Sequence, residues 1–255
     1  MSRDGLSITD LSVRYGGLTA VSGVSLEAPH GSITGLIGPN GAGKTTIFNA
    51  CSGLTAAEGR IELDGVDLSH LPPAGRARKG LGRTFQRMEL FDDLTVAENV
   101  ALGREAGLAG RSVVGQLMAR SGERSEVREA AATAIERCGL AELARREAGT
   151  LSTGQRRLVE LARALAGRFT LLLLDEPSSG LDRAETEVFG EILTGVLAER
   201  EIGVLLVEHD MALVMGVCRY LYVLDFGQLI FQGTPAEVQS SDEVRAAYLG
   251  TEAAA

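Results

Sequence analysis

Residues 38–46 read Gly-Pro-Asn-Gly-Ala-Gly-Lys-Thr-Thr, and Gly38, Gly43, Lys44 and Thr45 fall at the spacing of a phosphate-binding loop. Pro39, Asn40, Gly41, Ala42 and Thr46 complete it. Wrapping a triphosphate requires backbone N–H groups turned inward, and glycines at 38, 41 and 43 allow the dihedrals and the close approach. Lys44 is placed to reach the β- and γ-phosphates, and the Thr45 hydroxyl to ligate Mg²⁺. The apolar run Ser32–Ile37 before the loop suits a buried strand. Thr45–Ser52 after it reads as the start of a helix, whose N-terminus favours an anion.

Two other stretches could complete a hydrolytic site. Phe169–Glu176 is an apolar strand ending in paired carboxylates, and Ile202–His209 is another ending in Glu208-His209. Asp175 is placed to hold Mg²⁺, often through water. Glu176 is the carboxylate available to orient or deprotonate an attacking water, and His209 could hydrogen-bond the γ-phosphate. Strands alternating with helices predict a parallel α/β sheet, whose ligands bind at the strands' carboxyl ends. Gln86, at the end of the strand-like run Gly82–Gln86, would then converge on the loop with Asp175, Glu176 and His209.

The elements that must position these residues run from Leu6. Alternation over Leu6–Tyr15 and the run Ala20–Ala28 predict two strands around a Gly16-Gly17 turn. Tyr15, at the end of the first, is either an ordinary edge aromatic or a ring stacked on adenine. Gly59–Leu68 reads as a hairpin turning at Asp64-Gly65, and Ala74–Lys79 as a short helix. Arg76, Arg78, Lys79, Arg83 and Arg87 form the most basic stretch, read as a solvated face in preference to a binding surface. Residues 88–165 shift to helical patterns, with helices expected at Leu94–Leu102, Glu123–Cys138 and Gln155–Ala166 and a short one near Val113–Ala119. Ser152 suits the N-cap of the helix from Gln155, an end that is also an anion site and that a second copy could supply to this chain's loop. A helix over Ala184–Glu201, a hairpin over 221–232 and a helical segment ending at Gly250 close the chain.

Formal net charge is −9, from 25 basic and 34 acidic residues, which argues against broad nucleic-acid binding. Cys51, Cys138 and Cys218 follow no metal spacing and read as reduced, buried thiols of a cytosolic protein. The N-terminus does not resemble a signal peptide, and no apolar run approaches the ~20 residues that cross a bilayer.

Taken in order from about Leu6 to Gly250, these motifs resemble the ATPase subunits of ABC transporters. The resemblance implies a P-loop NTPase: a RecA-like α/β core with a parallel sheet (6–87 and 166–250), an N-terminal antiparallel β subdomain and an inserted helical subdomain (88–165), together one ATPase domain over 6–250. It makes Gly38–Thr45 the Walker A loop, Leu171–Asp175 the Walker B strand and Glu176 the catalytic carboxylate. Gln86 becomes the Q-loop glutamine, with catalytic and metal-binding duty. Ser152, Thr153, Gly154 and Gln155 form the signature, Ser179–Asp182 the D-loop with Asp182 at the nucleotide, His209 the switch histidine, and Tyr15 the adenine-stacking aromatic. Thr153 departs from the family, which has glycine there, and a β-branched residue narrows the backbone options.

The implied cofactors are ATP and Mg²⁺. Two ATPase subunits, alike or different, sandwich two ATP molecules and drive transmembrane permeases docked near Gln86, with Arg87–Phe91 as a docking surface. The chain would then lie in the cytoplasm, on the inner face of the membrane. Gly82–Gln86, Leu90–Asn99, Val207–Met211 and Ala246–Gly250 are similar to the ATPases of branched-chain amino-acid importers. That group implies two unlike permeases and an external binding protein. The alternatives are an ATPase of lipopolysaccharide extraction, similar over Leu71–Lys79, and a soluble ABC ATPase of translation or DNA repair.

Overall fold

Three apolar runs, Ile33–Ile37, Leu171–Asp175 and Gly203–Val207, are buried along their whole length, the pattern of parallel strands covered on both faces. The computed structural model describes residues 4–84, 88–108 and 122–252. In chain order its elements are β1 (Gly5–Tyr15), β2 (Leu18–Pro29), β3 (Ile33–Ile37), α1 (Lys44–Cys51), β4 (Glu58–Leu63), β5 (Val66–Asp67), α2 (Pro73–Arg78) and β6 (Leu81–Arg83). Then come α3 (Val96–Leu108), α4 (Gly122–Arg137), α5 (Thr153–Ala166), β7 (Leu171–Asp175), α6 (Arg183–Glu199) and β8 (Gly203–Val207). The chain closes with α7 (Met211–Val217), β9 (Tyr220–Asp225), β10 (Gln228–Gly233), α8 (Pro235–Ser240) and α9 (Asp242–Glu252). It packs as two compact units, residues 1–83, 170–176 and 197–255 in one and 84–169 with 177–196 in the other.

The first unit contains two sheets. One has the order β10-β9-β3-β8-β7-β6, parallel from β9 to β6 with β10 antiparallel at its edge. The other is antiparallel, β2-β1-β4-β5. Phe48 and Ile47 of α1 enter a single apolar core with Leu36, Leu173 and Leu205 of the parallel sheet and Leu11, Val21 and Ile61 of the antiparallel one. Each such side chain contributes about 1.5–3 kcal/mol on burial, so β3, β7 and β8 are fixed and their carboxyl ends form a stable edge for a site.

In the second unit α3, α4 and α5 pack on one another. Val100, Val127, Ile135, Val159 and Ala162 are buried in this unit. Gly103 lets α3 approach α5, since a Cβ there would sit 1.9 Å from the Arg163 carbonyl oxygen. Helix α5 starts at Ser152, whose hydroxyl accepts from the Gln155 amide while the Gln155 side chain accepts from the Ser152 amide.

Two sequence expectations shift. The helix placed at Leu94–Leu102 runs instead from Val96 to Leu108, because Thr95 caps it through Glu98 and nothing stops it at 102. The basic stretch is not one solvated face: Arg78 and Lys79 are exposed, but Arg76 is buried and the Arg83 side chain is 8% exposed. Arg76 donates to the carbonyls of Ala50, Cys51, Ser69 and Leu71, so it caps the C-terminal end of α1, where a cation is favoured. The helix expected near Val113–Ala119, with Gln86 and Arg87, lies outside the described residues.

Candidate functional site

The phosphate loop joins β3 to α1 in the first unit. Gly38 and Gly43 have φ of 150° and 104°, and a Cβ on them would meet the carbonyl oxygens of Leu224 at 2.0 Å and Ala20 at 2.9 Å. No other residue fits those two positions, which explains the spacing in local terms. The β9–β10 turn braces the loop from one side through the Gly227 amide, which donates to the Ala42 carbonyl at 2.9 Å. Lys44 is buried, and its Nζ donates to the carbonyls of Gly38 at 2.6 Å and Pro39 at 2.9 Å, so the cation spans the loop. Burial lowers the Lys44 pKa, opposed by the charges of Glu176 and Asp175 nearby. Asn40, Gly41 and Thr45 are exposed, and the amides that open α1 follow directly.

Asp175 ends β7 beside this loop. Its Oδ2 accepts from Arg83 Nη2 at 3.0 Å, and its side chain is 2% exposed. Burial raises the Asp175 pKa, with the adjacent Arg83 guanidinium pulling the other way. Arg83 is itself held by Asn49 Oδ1 at 2.8 Å and Ser52 Oγ at 3.3 Å on α1, and lies 5.6 Å over the Phe48 ring. The residue before Gln86's segment is thus tied to the helix that follows the loop. The sequence presents Arg83 as one more surface charge; its place directly after an apolar Leu-Gly strand was the only signal of burial.

Glu176 follows with φ of 48°, a left-handed conformation rare for a side-chain-bearing residue. Its amide donates to the Val207 carbonyl at 2.8 Å, and Glu176 Oε1 meets His209 Nε2 at 2.7 Å. The backbone turn aims the carboxylate away from the strand, and His209 holds it there. His209 is in turn set by the Asp210 cap of α7, which accepts from the Leu213 amide at 3.0 Å. A carboxylate–imidazole couple at a strand end, its imidazole 44% and its carboxylate side chain 16% exposed, can orient a water and accept its proton. Tyr15, 48% exposed, ends β1, and its hydroxyl lies 3.3 Å from Thr55 Oγ1, just past α1.

The donors suit a hard divalent ion that keeps water and takes oxygens from a bound phosphate. Asp175 offers one carboxylate, Thr45 an exposed hydroxyl, and no group of three or more His, Cys, Asp or Glu that could hold a metal alone occurs among the described residues.

Ser152–Gln155 and Asp182 belong to the second unit, which brings them together. Asp182 caps α6: its Oδ1 accepts from the Glu185 amide at 2.8 Å, and its amide donates to Glu185 Oε2 at 3.1 Å. The Glu185 carboxylate lies against Gly154, where a Cβ would be 2.2 Å from Oε1, so a side chain at 154 would displace this carboxylate. Thr153 is exposed, and its methyl faces Gly180, whose φ is 84°. Glu185 does not stand out in the sequence, because its contact with Gly154 joins distant stretches.

Comparison with known proteins decides what this arrangement is. The ABC transporter family matches residues 21–179. The chain belongs to the ABC transporter family. A second family, the branched-chain amino acid ATP-binding cassette transporters, matches residues 228–254 of this ABC ATPase. The cassette is 40% identical to the high-affinity branched-chain amino acid transport ATP-binding protein BraF of Pseudomonas aeruginosa, over 98% of this chain and 99% of that protein. It is 41% identical, over the same shares, to LivG of Escherichia coli, which bears the same description. The lipopolysaccharide export ATP-binding protein LptB of Haemophilus influenzae is 36% identical over 96% of this chain and 97% of its own. Among solved structures, the ADP conformation of MJ1267, an ATP-binding cassette of an ABC transporter, superposes with a TM-score of 0.85 at 32% identity, covering 97% of this chain and 99% of that one. This ABC subunit is an α/β P-loop NTPase that binds and hydrolyses ATP for a membrane transporter, and none of its described helices is long and apolar enough to cross a membrane.

Proposed function

We propose that this ABC ATPase powers import of branched-chain amino acids, hydrolysing MgATP with Glu176 as the base. The Glu176–His209 couple beside the phosphate loop carries this reading of the chemistry. The likeness to BraF and LivG over nearly the whole chain supports the solute class. Lys44 and the loop amides bind the phosphate tail, and the Tyr15 ring stacks on the adenine. Thr45 and Asp175, joined by Gln86, hold Mg²⁺, which when bound neutralises charge on the β- and γ-phosphates. Glu176 takes the proton from the attacking water, while His209 keeps the carboxylate oriented and reaches the γ-phosphate.

Ser152, Thr153, Gly154, Gln155 and Asp182 serve the nucleotide of a second ATPase subunit, so that two cassettes close on two ATP molecules. Ser152's exposed hydroxyl at the start of α5 suits an anion. The pair docks on two transmembrane permeases from the cytoplasmic side through Arg87–Phe91, and an external binding protein delivers the solute. The domain reading, one ATPase domain over 6–250 with a helical part at 88–165, goes with this proposal.

Glu176→Gln tests the chemistry. It keeps the size and the φ of the residue but removes the base, so turnover falls by about 10²–10⁴-fold while ATP binding persists. Hydrolysis within a factor of about two of wild type would remove Glu176 from its role. Purification from detergent-solubilised membranes tests the rest. Two unlike permeases and a second ATPase support the importer, whereas lipid-extracting partners overturn it.

A further inference from the structure

Helix α5 does more than open at Ser152. It holds a buried ion pair, Arg157 Nη1 to Glu160 Oε2 at 2.9 Å, with side chains 6% and 5% exposed. Such a pair adds little net stability by itself, so what it connects is the informative part. On one side Arg157 Nε donates to the carbonyl of Ser179 at 3.2 Å, in the turn that leads to Gly180 and Asp182. On the other, Glu160 Oε1 accepts from the Glu89 amide at 3.1 Å. Arg163 Nη1 donates to the Glu89 carbonyl at 2.5 Å, and Arg156 pairs with Asp92 at 2.7 Å. Asn99 of α3 fixes Phe91 at both its amide, 2.9 Å, and its carbonyl, 3.0 Å. The backbone of 89–92 is therefore fastened to α5 and α3, while the Phe91 ring is left 57% exposed.

The path from Glu89 to Ser179 is two planar ions in series, a carboxylate and then a guanidinium, each using a different atom for each neighbour. Each group is held at two separate atoms, hydrogen bonds weaken steeply on misalignment, and the pair is buried away from replacement water. The two groups thus form one continuous buried link between the Glu89 amide and the Ser179 carbonyl.

We propose that Arg157 and Glu160 are a positioning pair that carries the state of the 89–92 stretch to the 179–182 turn. Permease contact at Phe91 is thereby felt at Asp182 and at Gly154, which Glu185 links to it. This rests on the reading above, in which Arg87–Phe91 docks the permeases and Asp182 serves the second subunit's nucleotide.

The test uses the complete complex in lipid nanodiscs beside the isolated chain. Glu160→Gln preserves shape but leaves one oxygen for two donors, breaking the path at one junction. Arg157→Lys keeps the charge and loses the Nε bond to Ser179, and it serves where Glu160→Gln lowers the unfolding temperature. Either variant keeps hydrolysis by the isolated chain within about twofold, while the permease-stimulated rate falls by about tenfold, within the usual range of coupling between sites. An equal fall in both rates, or a stimulated rate that does not move in a folded variant, overturns the proposal and leaves the docking reading standing. A wild-type complex whose permeases give no stimulation overturns the docking reading and this proposal with it.

Discussion

Replacing Arg83 by methionine keeps most of the side chain's volume and removes its charge. Four contacts go with it: the 3.0 Å bond to Asp175, the bonds to Asn49 and Ser52, and the guanidinium over Phe48. Removing one member of a buried ion pair destabilises by about 3–5 kcal/mol, because the other charge keeps its desolvation penalty. Lys44 still acts on Asp175 from nearby, which places the expected loss at the lower end, about 3 kcal/mol. Urea unfolding of the purified chain, followed by circular dichroism, measures it. A double-mutant cycle separates the ion pair from the rest. With Asp175→Asn already in place no charge is left behind, so Arg83→Met then destabilises by about 2 kcal/mol less than it does alone. A single-variant loss below about 1 kcal/mol, or an additive cycle, would refute the view that Arg83 is the internal counter-ion of Asp175.

On the adenine stacking proposed for Tyr15, Tyr15→Ala should remove about 1 kcal/mol, a roughly fivefold weaker affinity for ATP in a titration, with no change expected for inorganic phosphate. Gly180→Ala meets two obstacles, a φ of 84° and a Cβ 3.2 Å from the Thr153 methyl. Thermal unfolding should show a loss of about 1–2 kcal/mol, and Thr153→Gly in the same chain should return only the part due to the clash. Burial pushes the Cys51, Cys138 and Cys218 thiols up to about 12, from an ordinary value of 9.0. The unfolded chain therefore ionises first, and their contribution to stability is intact below about pH 9 and declines from there toward pH 12. In native conditions at pH 8 a thiol reagent should label none of the three, and all of them in denaturant.

What the sequence made legible was local. The loop at 38–46, the carboxylates closing Leu171–Leu174 and the cap at Ser152 are each specified by fewer than ten consecutive residues, because neighbouring backbone groups decide loop, strand end and helix start. Arg76 and Arg83 were misread because burial of a long basic side chain depends on acceptors brought from elsewhere, the end of α1 for one and Asp175 for the other. Nor does the pattern around Gly154 reveal Glu185, some thirty residues on, as the group packed against it. Helix α5 read correctly as a helix, yet two of its buried positions, Arg157 and Glu160, are ionic, and a helical pattern carries no information about such a pair.

With Glu176 as the proposed base, position 176 sets folding and turnover against each other. A left-handed backbone at a glutamate is disfavoured by about 1–2 kcal/mol, and only glycine adopts it freely. On the catalytic role proposed for Glu176, any search for more robust variants of this chain, run without a demand for hydrolysis, will be drawn to Glu176→Gly, and will recover folded, nucleotide-loaded proteins that no longer turn over. Stability gained by selection on folding alone would thus be a poor guide to a working motor, and libraries built on this scaffold should hold residue 176 constant.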